Sequence, residues 1–251
     1  MTMSPDATGS AADSAPTGVT PIVALDVPDL PRARAVVERL GDSCAFYKVG
    51  LELFAAEGPA VVAWLRDQGK EVFVDLKLHD IPNTVRSAAR SVARLGASLL
   101  TVHASGGTEM ISAAVEGANE ASDGRCGILA VTILTSLDAA GVEQAWGRIG
   151  VAVEQEVVRL AGLARASSAA GVVCSGHEAA AVRAAYGPSL GTLVPGIRLA
   201  GGDAHDQRRV MTPAAAAAAG ARWLILGRAV TGAADPVAAM ASVHSALAQV
   251  A

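Results

Sequence analysis

The stretch VDLKLHDIPNTV, residues 74–85, begins as an apolar strand, collects Asp75, Lys77 and Asp80, and then turns at Pro82. Charged groups at the end of a buried element are costly unless they are paired or used. Asp75 and Lys77 are two residues apart, which on a strand turns both side chains to one face. Asp80 follows the strand, and Pro82 suits the first turn of a helix, placing Asp80 or a neighbour near its N-terminus. A purely structural arrangement would make Asp75–Lys77 a buried ion pair and Asp80 a helix cap. An Asp-x-Lys-x-x-Asp array joined by Lys48 at the end of a strand favours catalysis instead.

The signs of the charges restrict the chemistry. A Schiff-base lysine must be neutral, whereas flanking carboxylates stabilise the ammonium. Lys77 is therefore placed to stabilise a carbanion and then protonate it. A substrate carboxylate set against Asp75 would feel a repulsion that vanishes as CO₂ leaves, so the array suits decarboxylation. One unit-charge pair at about 4 Å is worth about 4 kcal/mol at an effective dielectric near 20. That amounts to roughly three decades of rate. A difficult decarboxylation needs more, drawn from preorganised groups and from binding energy in remote parts of the substrate. A strong distal anchor is expected.

The use of lysine supports this reading. Of 20 Lys and Arg residues, only Lys48, Lys70 and Lys77 are lysines. Two of the three fall at strand ends, where a compact ammonium with transferable protons differs in kind from a guanidinium.

The elements that must carry these groups alternate. Apolar strands are expected at 21–27, 44–49, 71–77, 98–104, 127–134, 171–176, 191–196 and 222–227, with amphipathic helices between them, as at 31–40, 84–96 and 177–187. Eight strands alternating with helices point to a single (β/α)₈ TIM barrel of the α/β class. The competing open sheet lacks a G-x-G-x-x-G turn after the first strand. In a barrel, function gathers at the C-terminal ends of the strands. Those ends supply Asp26, Lys48, Asp75 with Lys77, His103, Thr135 with Ser136, Pro195 to Arg198, and Gly227 with Arg228.

The anchor is expected after strands seven and eight, in VPGIRLAGGDAHDQRRVMTP (194–213) and LILGRAV (224–230). Barrels often bind phosphate at these loops through backbone N–H groups and a short helix. Arg228 offers a bidentate partner, and Arg198 and Gln207 are further candidates. The run at 214–220 reads as a helix ending at glycine.

Composition sets outer bounds. The 251 residues are 51% hydrophobic, enough for one large core. A net charge of −4 argues against a nucleic-acid partner, and no apolar run reaches the length of a membrane span. Three widely spaced cysteines fit reduced thiols in a cytoplasmic protein and suggest no zinc site. Residues 1–18, rich in Ser, Ala, Pro and Gly, read as a disordered tail rather than a signal peptide, leaving 19–251 for the barrel.

The segment DLKLHDIPNT (75–84) resembles the active-site motif of the orotidine 5′-phosphate decarboxylase family. VALD (23–26), KVG (48–50), VHASGG (102–107), PGIR (195–198), DQRR (206–209) and GRAVT (227–231) resemble further family motifs in the same order. The resemblance implies conversion of orotidine 5′-monophosphate to UMP and CO₂ in de novo pyrimidine synthesis, with neither metal nor organic cofactor. It implies that Lys77 delivers the proton to C6, that Asp75 lies beside the reacting carboxylate, and that Lys48 and Asp26 contact the ribose hydroxyls. It also implies a homodimer in which Asp80, Ile81 and Thr84 reach into the partner's site. Thr135, with Ser136 as the alternative, would lie near the pyrimidine. Gln207, Gly227 and Arg228 would hold the phosphate, with Arg198 bordering the loop that closes over it.

Two other functions compete. A metal-dependent decarboxylase or aldolase acting on a ketose phosphate would need ligands at strand ends, for which His79 and His103 are the candidates. A non-catalytic phosphate-ligand binding barrel would keep the anchor and leave the charged array as a structural network.

Overall fold

Strands buried on both faces read as continuous apolar runs, and eight such runs close the sheet of this protein. A computed structural model describes residues 18–199 and 211–250. The expected tail, apart from Gly18, and Gln207 lie outside the described residues. The strands are β1 (Thr20–Leu25), β2 (Phe46–Val49), β3 (Glu71–Leu78), β4 (Leu99–His103), β5 (Gly127–Val131), β6 (Gly171–Val173), β7 (Gly191–Val194) and β8 (Trp223–Leu226). Helices α1 (Leu30–Leu40), α2 (Leu51–Glu57) and α3 (Pro59–Asp67) flank β2, and α4 (Pro82–Arg94) and α5 (Gly107–Ser122) flank β4. The second half carries α6 (Ala139–Trp146), α7 (Val153–Ala166), α8 (Gly176–Tyr186), α9 (Pro213–Ala218), α10 (Arg228–Thr231) and α11 (Pro236–Ala248). All neighbouring strands pair in parallel, and β8 returns to β1 to complete a (β/α)₈ barrel.

Local chemistry sets the boundaries. The Asp29 carboxylate accepts from the Arg32 N–H to start α1, and Gly41, at φ +50°, ends it by donating to the Val37 carbonyl. Ser175 and Glu178 form a capping box at the start of α8, which is why β6 stops at Val173 rather than running on to 176. Strand β5 also ends early, at Val131. Beyond it, both the backbone N–H and the hydroxyl of Thr132 donate to the Val173 carbonyl, at 3.2 and 2.8 Å.

Two apolar layers form the core. Outward residues such as Val23, Tyr47, Val74 and Leu100 pack beneath the helices. Ile22, Phe46, Phe73, Leu99, Leu129 and Trp223 fill the barrel. Burying a large side chain of this kind stabilises by about 1.5–3 kcal/mol. Trp223 fits because Gly191 leaves room, a Cβ there lying only 2.5 Å from its ring.

Inward positions recur every second residue, so each strand climbs from the apolar plug to the C-terminal mouth. Ile22 and Ala24 lead to Asp26, Phe46 to Lys48, Phe73 to Asp75, Leu99 to Thr101 and His103, and Ile225 to Gly227. The plug therefore forms the floor beneath the polar groups. Lys70, the third lysine, serves elsewhere, donating to the carbonyls of Gly41 and Cys44 at 2.8 and 3.0 Å.

Candidate active site

Strand β3 breaks its own pattern where the charges begin. Val74 pairs with Leu100, but the next partners are Leu78 and Val102, so Asp75, Leu76 and Lys77 face the single residue Thr101. Simple alternation does not describe this stretch. It is a bulge, a device that re-aims side chains beside active sites. Lys77 takes a left-handed backbone, φ +51°, at a cost of about 1–3 kcal/mol for a residue with a Cβ. Its Nζ lies 2.9 Å from both Asp75 carboxylate oxygens.

The array continues into β2 and β1. Lys48 Nζ stands 2.8 Å from Asp26 Oδ1 and 3.7 Å from Asp75 Oδ2, giving the order Asp26, Lys48, Asp75, Lys77 with alternating charge. Lys48 is 7% exposed, so its charge is held by these carboxylates rather than by water. Gly50 permits the approach, since a Cβ there would sit 2.9 Å from Lys48 Nζ and 3.1 Å from Asp26 Oδ1.

These four side chains form one wall of a cavity of about 510 Å³. Thr135, Pro195, Arg198, Gly227 and Arg228 line other parts of it. Arg198 N–H donates to the Met211 carbonyl at 2.9 Å, and Ile197 bridges to Met211, joining the two ends of the segment that contains Gln207. Burial first, and the nearby charge of Arg228 second, lower the Arg198 pKa from its ordinary value. Two guanidinium groups within each other's field favour an anion between or beside them.

Other expected residues stand apart. Asp80, Ile81 and Thr84 are exposed and do not line the cavity, with Ile81 at 68% exposure. Nor does Asp80 cap a helix: the N-cap of α4 is Ile81, without a side-chain cap, and the Asp80 carboxylate accepts from the Ile81 N–H at 2.7 Å. Ser136 is exposed and outside the lining, whereas Thr135 is within it. The rings of His79 and His103 lie 5.4 Å apart. Burial, then the charges of His79 and Lys77, push the His103 pKa down. Among the described residues, no three His, Cys, Asp or Glu side chains are grouped to hold a metal ion, and no helix is long and apolar enough to cross a membrane.

Sequence reasoning passed over Thr101, which is fully buried and bonded to both Asp75 and Lys77. Its signal was a hydroxyl at an inward position between Leu99 and His103.

The sequence matches the orotidine 5′-phosphate decarboxylase / HUMPS family over residues 20–243. The chain belongs to this family. Membership in the orotidine 5′-phosphate decarboxylase / HUMPS family extends over all eight strands and both sides of the cavity. An orotidine 5′-phosphate decarboxylase from Anaeromyxobacter sp. (strain K) is 52% identical over 226 residues, covering 89% of this chain and 96% of the relative. That of Moorella thermoacetica is 50% identical over 222 residues, covering 87% and 88%. The crystal structure of orotidine 5′-phosphate decarboxylase from Lactobacillus acidophilus matches with a TM-score of 0.82 at 35% identity, covering 91% of this chain and 99% of that one.

Proposed function

We infer that the protein decarboxylates orotidine 5′-monophosphate to UMP and CO₂, a step of pyrimidine nucleotide synthesis. The observation that carries this reading is the Asp75–Lys77 pair, held at 2.9 Å in the cavity that Arg198 and Arg228 also line. The substrate carboxylate lies against Asp75, and repulsion between the two anions is relieved as the C6–carboxyl bond breaks. The electron pair stays on C6, the Lys77 ammonium stabilises it, and a proton passes from Nζ to C6. Lys77 then regains a proton from solvent.

Phosphate binding supplies the remaining energy by fixing the reacting end against the array. Arg228, Gly227 and Gln207 hold the phosphate, and Arg198 borders the loop above it. Asp26 and Lys48 take the ribose hydroxyls, while Thr135 and Pro195 border the pyrimidine. The exposed Asp80, Ile81 and Thr84 serve the partner's site in a homodimer. The reaction as written draws on no metal or cofactor, and its nucleotide chemistry belongs in the cytoplasm.

Ultraviolet absorbance of orotidine 5′-monophosphate, followed with the protein in excess chelator, tests this function. Loss of substrate with release of UMP is expected. An unchanged spectrum refutes the assignment, and turnover that requires added metal transfers it to a metal-dependent reaction.

A further inference from the structure

The bulge in β3 leaves a gap in the sheet that a side chain fills. Between the Val74–Leu100 and Leu78–Val102 pairs, Thr101 has no ladder partner on β3. Its hydroxyl takes over that role. Lys77 N–H donates to Thr101 Oγ1 at 2.9 Å, where a regular ladder would offer a carbonyl. Thr101 Oγ1 lies 2.8 Å from Asp75 Oδ1.

The direction of both bonds follows from the donor inventory. A hydroxyl has one proton and two acceptor lone pairs. The Lys77 amide can only donate, so it uses a lone pair of the oxygen, and the carboxylate can only accept, so it takes the proton. Thr101 is fully buried. Through this one atom the left-handed backbone of Lys77 is tied to the orientation of the Asp75 carboxylate.

We propose that Thr101 is a positioning residue for the reaction: its hydroxyl fixes the Asp75 carboxylate and the Lys77 backbone relative to each other. The proposal rests on the decarboxylase reading above. Thr101 is not among the residues that line the cavity, so it acts through Asp75 and Lys77. Its loss lowers the rate of the chemical step and spares substrate binding, which depends on phosphate and ribose contacts elsewhere.

The test compares Thr101→Val, which keeps the shape and removes the hydroxyl, with Thr101→Ser, which keeps the hydroxyl. A hydrogen bond to a charged group, with the orphaned amide left behind, corresponds to roughly a 10- to 100-fold loss. Thr101→Val is expected to lower kcat by that factor with KM within about threefold of wild type, and Thr101→Ser to restore kcat to within about threefold. If the valine variant does not fold, Thr101→Ala carries the same comparison. A folded valine or alanine variant with wild-type kcat overturns the proposal. So does a serine variant as slow as valine, or a defect confined to KM. Wild-type protein without turnover defeats the decarboxylase reading and this inference together, whereas active wild type with an indifferent Thr101 defeats the inference alone.

Discussion

Two parts of the cavity lining are built in opposite ways. The array across β1–β3 alternates carboxylate and ammonium, with contacts of 2.8–2.9 Å at either end and 3.7 Å in the middle. Its charges are balanced before any ligand arrives, and its members stand on strands of the barrel wall or, for Asp26, directly after one. Another part of the lining, beyond β7 and β8, brings together two groups of the same sign, Arg198 after β7 and Arg228 at the start of α10. There burial first, and the charge of Arg228 second, lower the Arg198 pKa. On the proposed reading the balanced array serves electrons that move during the reaction. On the proposed reading the like-charged pair, one member in a loop and one in the first turn of α10, serves an anion that arrives and leaves.

That division of labour has measurable consequences. If Lys77 stabilises the carbanion and supplies the proton as proposed, Lys77→Ala should lower kcat by about three decades or more. A melting curve close to wild type would accompany it, and substantial residual turnover would refute the role. If Arg228 holds the phosphate as proposed, Arg228→Ala should cost roughly 10- to 100-fold in kcat/KM, read by steady-state kinetics. Much of this loss should appear in KM. An effect confined to kcat would erase the contrast between the two parts.

Gly50→Ala probes the packing of the array without removing a charge. The backbone there, at φ −90° and ψ −176°, accepts alanine, but the new Cβ crowds Lys48 Nζ and Asp26 Oδ1. Displacing such side chains from their preferred rotamers costs about 0.5–1.5 kcal/mol, so activity should drop roughly two- to tenfold. A crystal structure should show the Lys48–Asp26 contact moved, and an unmoved contact with full activity would mean that the approach is not tight.

The contrast also sorts what could be read in advance. The balanced side was legible because its residue types are unusual: a chain that otherwise uses arginine places two of its three lysines there. Arg228 was legible from its place after the eighth strand. Thr101 was not singled out, because an isolated threonine in an apolar strand carries little signal until its neighbour is known. Asp80 stood out with the charged array, but its place in a partner's site, and Ile81 and Thr84 altogether, came only through family resemblance, and their exposure has no counterpart in strand periodicity.

By itself the sequence determined the eight apolar runs, the helices between them and the change from apolar to charged residues at the strand ends. Those properties follow from side-chain type and spacing along one segment. Tertiary structure decided the bulge, the left-handed Lys77 and the hydroxyl of Thr101 that meets it. Each depends on register between β3 and β4, and register is a relation between strands that neither strand's sequence contains alone.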